Sequence, residues 1–292
     1  MNKKTLLVTT GLSGMIGNRF EELYGHKFEF ENLDLTTGID ITNEKSVDNS
    51  IKNTEGEIIL HLAAFTDVNA AASQKDDKNG LCYQVNVVGT QNIAKAAAKY
   101  DKYLIHISTD FVFDGSKKKP YTEEDQTNAI EWYGQTKAEA EIIVKENLKH
   151  YSIVRTSFPF RSKFDAKPDV VRKIIQGLKD DNLSPMFSDN FITPTFVDDL
   201  CKVFFMFTLK RPRGIYHATG STSLSTYELA QHIKKTFNLP GKIIESSLEE
   251  YLKTASRVYP KSLKMSNRKL QEELGNPMLP VESALQIMKT QL

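Results

Sequence analysis

The 292-residue sequence has little cysteine, almost no net charge and no long apolar run. Its two cysteines, Cys82 and Cys201, are too few for a disulfide framework or an all-cysteine zinc site, so a reducing, cytoplasmic location is expected. Lysine and arginine total 38 against 37 aspartates and glutamates, so the basic excess that nucleic-acid binding needs is missing. Runs of about 18 apolar residues are also missing, so the sequence predicts no membrane-spanning helix.

Apolar, strand-like segments alternate with helix-like segments over the first half of the chain. The predicted strands are residues 5–10, 27–33, 57–64, 103–108, 151–156 and, further on, 214–219. The predicted helices are residues 14–24, 43–53, 80–100, 128–150 and 194–208. Continuous apolar strands separated by helices predict a Rossmann-like α/β fold, a doubly wound parallel sheet that binds ligands at the carboxyl ends of its strands.

The regular alternation weakens after about residue 158, where the sequence becomes richer in polar residues and turns. We therefore expect residues 1–158 plus about 191–219 to form a nucleotide-binding domain. About 159–190 plus 220–292 would form a small C-terminal lobe for the substrate. The apolar run Val203–Phe207 would pack in the core and could also contact a second subunit in a homodimer.

A glycine-rich turn, Thr10–Gly17, joins the first predicted strand to the first helix and reads T-G-x-x-G-x-x-G. Gly11 would permit the tight turn, Gly14 would let the backbone approach a pyrophosphate, and Gly17 would allow close packing of helix on strand. The helix N-terminus would add N–H donors and a positive dipole. This strand–turn–helix context predicts a dinucleotide-binding loop.

Asp34 ends the second predicted strand, where the carboxylate that binds the adenosine ribose is found in such folds. A carboxylate favours the free 2′-hydroxyl of NAD over the 2′-phosphate of NADP, and no Arg or Lys occurs in the next four residues. The prediction is therefore NAD, with NADP still open. The alternative is that Asp34 only caps a loop, because aspartate is common in turns.

Tyr133 and Lys137 lie four positions apart in a predicted helix and therefore share one face. A phenol with a pKa near ~10 is a poor acid–base catalyst at neutral pH, and a neighbouring ammonium would lower that pKa. Ser108, Thr109 and Asp110 end the fourth predicted strand, where a hydroxyl could bind a substrate carbonyl. Together with the glycine loop, this arrangement predicts an NAD(P)-dependent oxidoreductase.

Three histidines, His61, His106 and His217, lie in or beside apolar strands. They have few neighbours of the kind that bind metals, so we expect satisfied core histidines and no metal site. The two cysteines lie on helical segments and are expected to be buried thiols.

Seven motifs resemble, in the same order, those of extended short-chain dehydrogenases/reductases, and most closely those of the dTDP-4-dehydrorhamnose reductase family. They are TGLSGMIG (10–17), HLAAFTDVNAA (61–71), NVVGT (86–90), STDFVFDG (108–115), YGQTKAEAE (133–141), RTSFPF (155–160) and ITPTFVDDL (192–200). The resemblance covers roughly the first two thirds of the chain.

The resemblance implies a role for each matching residue. Thr109, Tyr133 and Lys137 would form the catalytic trio. The implied cofactor contacts, besides Tyr133 and Lys137, are Gly11, Ser13, Gly14, Met15 and Ile16 at the pyrophosphate, Asp34 at the adenosine ribose, Asp40 and Ile41 at the adenine, Ala63, Ala64 and Phe65 at the second ribose, and Phe158 at the nicotinamide. The implied substrate-site residues are Thr66, Asn86 (as a support of the active-site helix), Arg257 and Lys261.

The implied reaction reduces a 4-keto nucleotide sugar, as in dTDP-rhamnose biosynthesis. A hydride would pass from the nicotinamide to the keto carbon, Tyr133 would donate the proton, and Thr109 would polarise the oxygen. Related 4,6-dehydratases carry Asp-Glu after the catalytic threonine. Here Phe111 follows Asp110, which favours a reductase.

The C-terminal lobe departs from the family at one point. The family's Arg-Pro pair corresponds to Tyr259-Pro260, so Arg257 or Lys261 would have to bind a phosphate instead. Two other interpretations stay open. One is an epimerase or a reductase of another carbonyl substrate. The other is a cofactor-binding regulatory subunit, because the β-subunit of methionine adenosyltransferase resembles the same family and acts through contact with a partner.

Overall fold

The computed structural model describes residues 4–255, 257–275 and 277–292. Its strands are β1 (Thr5–Thr10), β2 (Phe28–Asn32), β3 (Ile58–His61), β4 (Tyr103–Thr109), β5 (Tyr151–Thr156), β6 (Pro159–Phe160), β7 (Met186–Phe187), β8 (Phe191–Ile192), β9 (Thr195–Phe196), β10 (Gly214–His217), β11 (Leu224–Ser225) and β12 (Glu245–Ser246). Its α-helices are α1 (Met15–Tyr24), α2 (Glu44–Asn53), α3 (Val68–Ala72), α4 (Leu81–Tyr83), α5 (Thr90–Lys99), α6 (Trp132–Asn147), α7 (Val170–Lys179), α8 (Val197–Lys210), α9 (Thr226–Phe237), α10 (Leu248–Leu252), α11 (Arg268–Leu274) and α12 (Val281–Thr290). A π-helical segment, Gln84–Gly89, connects α4 to α5, and short 3₁₀ turns follow β2 and β4.

Six strands form one sheet in the order β10-β5-β4-β3-β1-β2. Strand β1 pairs in parallel with β2 and β3, and β3 pairs in parallel with β4. Every residue of β3 and β4 is buried, which explains their continuous apolar sequences. The strand order reverses between β1 and β3, so the loops that follow these strands meet at the switch point where such sheets bind ligands. The predicted Rossmann-like fold is confirmed.

Two predicted helix starts are wrong. Helix α6 begins at Trp132, not at residue 128, because Glu131 caps it: the Glu131 carboxylate accepts hydrogen bonds from the backbone N–H groups of Tyr133 (3.2 Å) and Gly134 (2.6 Å). The helix expected from residue 194 begins at Val197. The residues just before it form β9, which pairs in parallel with β6.

The chain divides into two compact units. The first contains the described residues up to Val112, Glu131–Arg155 and Cys201–Tyr216. The second contains Phe113–Ile130, Thr156–Leu200 and the described residues from His217 onwards. This division departs from the expected domains, because residues 113–130, 156–158, 191–200 and 217–219 belong with the second unit.

Backbone hydrogen bonds explain why residues 113–130, the longest of these segments, belong to the second unit. The N–H of Tyr121 donates to the carbonyl of Lys264, and the N–H of Ser266 donates to the carbonyl of Tyr121, both at 2.8 Å. The N–H of Leu263 likewise donates to the carbonyl of Phe191 at 2.8 Å. These partners are far apart in sequence, so local patterns could not reveal them. No helix in the described part of the chain is long and apolar enough to span a bilayer.

Candidate active site

The glycine-rich turn follows β1 directly and leads into α1. Gly11 has φ +69°, and a Cβ there would approach the backbone nitrogen of Ala63 to 2.6 Å, so both its conformation and its surroundings require glycine. A Cβ at Gly17 would come within 2.6 Å of the Gly11 carbonyl oxygen, so α1 packs closely on the turn. Gly14 is the N-cap of α1, and no side chain of the described residues caps the helix there. An N-terminus of this kind suits an anion such as pyrophosphate.

Asp34 lies in a cage of hydrogen-bond donors at the end of β2. One carboxylate oxygen accepts from the backbone N–H (2.9 Å) and hydroxyl of Thr36, and the other accepts from Asn32 Nδ2 (2.7 Å) and Ser13 Oγ (3.2 Å). Burial raises the pKa of Asp34, but these hydrogen bonds outweigh it and leave the pKa below its ordinary value. Asp34 also caps the 3₁₀ turn that follows β2. It is therefore an ionised carboxylate with an established structural role.

The residues expected around the adenine lie beyond that turn. Asp40 Oδ1 accepts from the backbone N–H and the hydroxyl of Thr42, both at 2.8 Å. Ile41 is buried, and a Cβ on Gly89 would come within 2.6 Å of its Cδ1. Ile41 thus packs against the π-helical segment as part of the first unit's core.

The loop after β3 is fixed from two sides. The backbone N–H of Ala63 donates to Thr10 Oγ1 at 3.1 Å. Asn86, on the π-helical segment, accepts from the N–H of Phe65 (2.8 Å) and donates to the carbonyl of Phe65 (3.2 Å) and to Thr136 Oγ1 (3.1 Å). Asn86 is fully buried, which favours a role in supporting this loop and α6 over direct contact with a substrate. Ala64 is half-buried and Thr66 is exposed in the same loop.

Tyr133 and Lys137 lie in the N-terminal half of α6, and Thr109 ends β4. The Thr109 hydroxyl donates to Asp110 Oδ1 at 3.0 Å and lies close enough to the Tyr133 phenol to affect its pKa. Lys137 Nζ donates to the carbonyl of Ile107 at 2.7 Å. The structure thus brings the three expected catalytic residues together at the carboxyl end of β4, all buried.

The pKa of Tyr133 differs from the expectation. Burial raises it, the neighbouring Thr109 hydroxyl opposes the rise, and the nearby Asp110 and Glu131 carboxyls add to it. The expected net lowering of the Tyr133 pKa is therefore wrong, because the net direction is upward. Tyr133 therefore keeps its proton at neutral pH, as a proton donor requires.

Lys137 is affected in the opposite way by the same burial. Burial lowers its pKa to about 8, and the Glu141 carboxylate one turn along α6 opposes that fall. Glu141 is itself held by Arg155 through two hydrogen bonds of 2.8 and 2.7 Å and by Ser108 Oγ at 2.6 Å. This buried network connects α6 to β4 and β5.

Two positioning residues escaped sequence reasoning. Glu131 caps α6, but glutamate is not among the usual N-cap residues, so no sequence signal marked it. Gly134 follows Tyr133, and a Cβ there would collide with the carbonyl oxygen of Phe111. A glycine at an early helical position is the one signal that could have indicated this close approach.

Three of the expected site residues belong to the second unit. Phe158 is a half-buried non-glycine residue with φ +40°. The Arg257 guanidinium stacks on the ring of Tyr259, 3.9 Å from its centroid. Lys261 Nζ forms an ion pair with Glu249 Oε2 at 2.9 Å on the surface.

The histidines divide into two kinds. His61 contacts Thr10 Oγ1 (2.6 Å) and Thr90 Oγ1 (3.1 Å), and His217 Nδ1 contacts the carbonyl of Ser266 (3.1 Å), as expected of satisfied core residues. His106 is different, because its Nδ1 is buried with no hydrogen-bond partner among the described residues. Within those residues, no group of three or more His, Cys, Asp or Glu is placed to hold a metal ion.

Comparison with known proteins agrees with this geometry. The family model described as the RmlD substrate binding domain matches residues 4–292. A dTDP-4-dehydrorhamnose reductase of Sinorhizobium fredii is 32% identical over 81% of this chain and 80% of its own length. The rat methionine adenosyltransferase 2 subunit beta is 29% identical over 92% and 82%.

Solved structures give the same result. The dTDP-4-dehydrorhamnose reductase of Bacillus anthracis, in complex with NADP, is similar with a TM-score of 0.90 and 28% identity, covering 99% of this chain and 100% of that one. The chain therefore belongs to the RmlD, or dTDP-4-dehydrorhamnose reductase, family of extended short-chain dehydrogenases/reductases.

Proposed function

We propose that the protein is an NAD(P)-dependent reductase of a 4-keto nucleotide sugar. The observation that carries the proposal is the placement of the buried Thr109, Tyr133 and Lys137 together at the carboxyl end of β4, in the same unit as the glycine turn and α1. The named reductases among the relatives support it.

The protonation state of Tyr133 suits a proton donor. Its raised pKa keeps the proton on the phenol, from which it can pass to a ketone oxygen as the alkoxide develops. Thr109 stands beside it and would donate to the same oxygen, which polarises the carbonyl. When bound, the reduced nicotinamide supplies the hydride.

The described residues fit such a dinucleotide. The uncapped N-terminus of α1 and the close turn at Gly11 would hold the pyrophosphate, with Ser13, Gly14, Met15 and Ile16 around it. The Lys137 ammonium has three N–H donors, of which one is used on the Ile107 carbonyl, and it would bind a ribose hydroxyl.

The structure weakens the argument from Asp34 for NAD alone. Four donors already occupy its carboxylate, so recognition of a ribose hydroxyl would have to compete with Thr36, Asn32 and Ser13. We therefore propose that either NAD or NADP is accepted, and the NADP bound by the Bacillus anthracis relative supports this. Steady-state KM values for NADH and NADPH test it, because a preference above about 100-fold would require a specific 2′ contact.

Arg257 is the better candidate for the substrate's phosphates. A guanidinium can bind a phosphate bidentately, and the stack on Tyr259 orients its plane. The Lys261 ammonium, which pairs with Glu249, is a point charge without the paired donors of a guanidinium.

Phe111 favours reduction over 4,6-dehydration. Its ring lies edge-on to Tyr133 with centroids 5.9 Å apart, at the position where dehydratases carry the glutamate that supports elimination. A half-buried apolar ring there cannot act as an acid or base.

The deciding experiment is NADPH or NADH oxidation with dTDP-4-dehydrorhamnose as substrate. We expect turnover by the wild type and a fall in kcat of about 10²–10⁴-fold in Tyr133→Phe. Tyr83→Phe is the matched control, since it removes another helical phenol, one bonded to Glu139 at 2.7 Å. Absence of turnover by wild type that binds the dinucleotide would overturn the proposal.

A second candidate function is a regulatory subunit, favoured by the similarity to methionine adenosyltransferase 2 subunit beta. It predicts a stable complex with a partner enzyme and no dependence of that complex on the Tyr133 hydroxyl. Light scattering after affinity purification distinguishes a partner complex from a monomer or a homodimer. The wild-type and Tyr133→Phe proteins would then behave alike.

A further inference from the structure

Two buried histidines lie side by side in the sheet behind Lys137. His61 ends β3 and His106 lies in β4, directly opposite it in the parallel register. Both side chains are completely buried, and their ring centroids are 5.2 Å apart. Their hydrogen bonding differs, and that difference assigns a role to one of them.

His61 has a complete set of partners. Thr10 Oγ1 accepts from the N–H of Ala63 and contacts His61 Nδ1, while His61 Nε2 contacts Thr90 Oγ1. Its ring connects β1, β3 and α5, which accounts for its presence as a structural residue.

The two ring nitrogens of His106 differ, because Nε2 contacts Lys137 and Nδ1 has no hydrogen-bond partner among the described residues. Its Nε2 lies 3.4 Å from Lys137 Nζ. An ammonium can only donate, so Nε2 must be the acceptor and the ring proton must sit on Nδ1. That Nδ1–H finds no partner among the described residues. An aliphatic residue at this position would avoid the cost of an unsatisfied buried donor, which points to the contact with Lys137 as the reason for a histidine.

We propose that His106 is a positioning residue for Lys137. Its Nε2 and the Ile107 carbonyl take two of the three ammonium donors and fix the direction of the third. The third N–H has no partner among the described residues. On the proposed function, it is the donor presented to a ribose hydroxyl of the dinucleotide.

A proton relay through His106 fits less well. Burial and the charge on Lys137 hold the pKa of His106 well below its ordinary value, so the ring stays neutral. Its Nδ1 also has no described partner to which a proton could pass. The ring therefore orients Lys137 and does not carry its proton onwards.

Other groups near Lys137 decide how it titrates. Glu141 on α6 favours the ammonium, burial disfavours it, and the Cys82 thiol of α4 is also nearby. His106 on β4 is neutral and acts only by accepting a hydrogen bond, which stabilises the charged form. Removing that acceptor should therefore lower the pKa of Lys137.

The first test is a measurement on the wild-type protein. In ¹⁵N-histidine NMR spectra of the wild-type protein at neutral pH, His106 should be neutral with its proton on Nδ1. Its signals are assigned by their loss in His106→Gln. If the proton is on Nε2, that nitrogen cannot accept from Lys137, and the proposal is overturned.

The second test measures Lys137 directly. The ¹³Cε signal of Lys137, assigned by its absence in Lys137→Met, is titrated in wild type, His106→Leu, His106→Gln and His61→Leu. We expect the midpoint to fall by about one pH unit in His106→Leu. His106→Gln, whose amide oxygen can accept, should recover most of that shift. His61→Leu, the matched control, should leave the midpoint unchanged.

An unchanged midpoint in His106→Leu would contradict the proposal. If that variant does not fold, the wild-type tautomer and the His106→Gln titration still decide the question. Fluorescence titration with NADPH adds the functional result, for which we expect about tenfold weaker binding in His106→Leu and a smaller loss in His106→Gln. The NMR tests stay valid if the protein proves not to be a reductase, so the two proposals can fail separately.

Discussion

Two lysines among the expected site residues lie in opposite surroundings. Lys137, in the first unit, is 1% exposed and donates to a backbone carbonyl and a neutral imidazole. Lys261, in the second unit, has a side chain 52% exposed and pairs with Glu249. Burial lowers the pKa of Lys137 to about 8, whereas the hydrogen bond and charge of Glu249 raise the pKa of Lys261.

The two lysines therefore differ in how firmly their neighbours hold them. In the first unit, buried partners fix the position and charge of Lys137 before any ligand arrives, as catalysis requires. In the second unit, an exposed cation paired with an exposed carboxylate is free to exchange partners with water and salt. We therefore expect substitutions around Lys137 to have large effects and those around Lys261 to have small ones.

The largest effect should come from Arg155→Met. The side chains of Arg155 and Glu141 are 2% and 0% exposed, and removing the guanidinium leaves a buried carboxylate with only Ser108 as its described donor. We expect the free energy of unfolding to fall by about 3–5 kcal/mol. Urea unfolding followed by circular dichroism measures it.

A double variant provides the control. Arg155→Met combined with Glu141→Leu removes both charges and should recover most of the lost stability, because apolar replacement of a whole buried ion pair is often neutral. If the double variant were no more stable than Arg155→Met alone, the loss would come from packing and not from the unpaired charge.

Gly134→Ala should have the next largest effect, mainly on activity. Alanine normally stabilises a helix relative to glycine by roughly 0.5–1 kcal/mol. Here the new Cβ collides with the Phe111 carbonyl oxygen, so the first turn of α6 must move and carry Tyr133 away from Thr109. We expect kcat to fall by about 100-fold, since displacements near 1 Å can cost that much. Gln135→Ala, in the same turn, should retain activity, and equal losses in both variants would contradict this explanation.

Lys137→Met should lower the activity and raise the free energy of unfolding. The folded pKa of about 8 lies below the unfolded value near ~10.4, so below pH 8 both states are protonated and the folded state bears the full cost of the buried charge. Between these values the unfolded chain binds more protons, so wild-type stability rises with pH. The variant should be more stable by roughly 1–3 kcal/mol at pH 7, and the gap should close by about pH 10.5.

Unfolding curves of both proteins across that pH range measure the gap. The Ile107 carbonyl loses its donor in the variant, which limits the gain. A gap that stays constant with pH would show that the titration of Lys137 does not cause it.

The sequence predicted the sheet well and the contacts around Lys137 poorly, for different physical reasons. Strands buried on both faces are rich in apolar residues, so β3 and β4 stand out in the sequence. The pairing of Glu141 with Arg155 depends on which side chains meet across the fold, and so does the lack of a partner for His106 Nδ1 among the described residues. The two-residue strands of the second unit are too short to show any periodicity, so the sequence could not indicate that residues 191–200 group with that unit.

The smallest effect should come from Lys261→Met, which tests the other half of the comparison. Its ion pair with Glu249 is exposed, so the thermal unfolding midpoint should not change measurably, with or without added salt.

The effect on substrate binding should differ between Lys261 and Arg257, because of these two side chains only that of Arg257 can form a bidentate phosphate contact. We expect Arg257→Leu to raise the nucleotide-sugar KM about tenfold and Lys261→Met to change it by about twofold or less. Glu249→Gln is the control, since it releases the Lys261 ammonium without removing it. If Glu249→Gln lowered KM and Lys261→Met raised it tenfold, the exposed lysine would be a substrate ligand held back by its carboxylate, and exposure alone would not separate the two kinds of site.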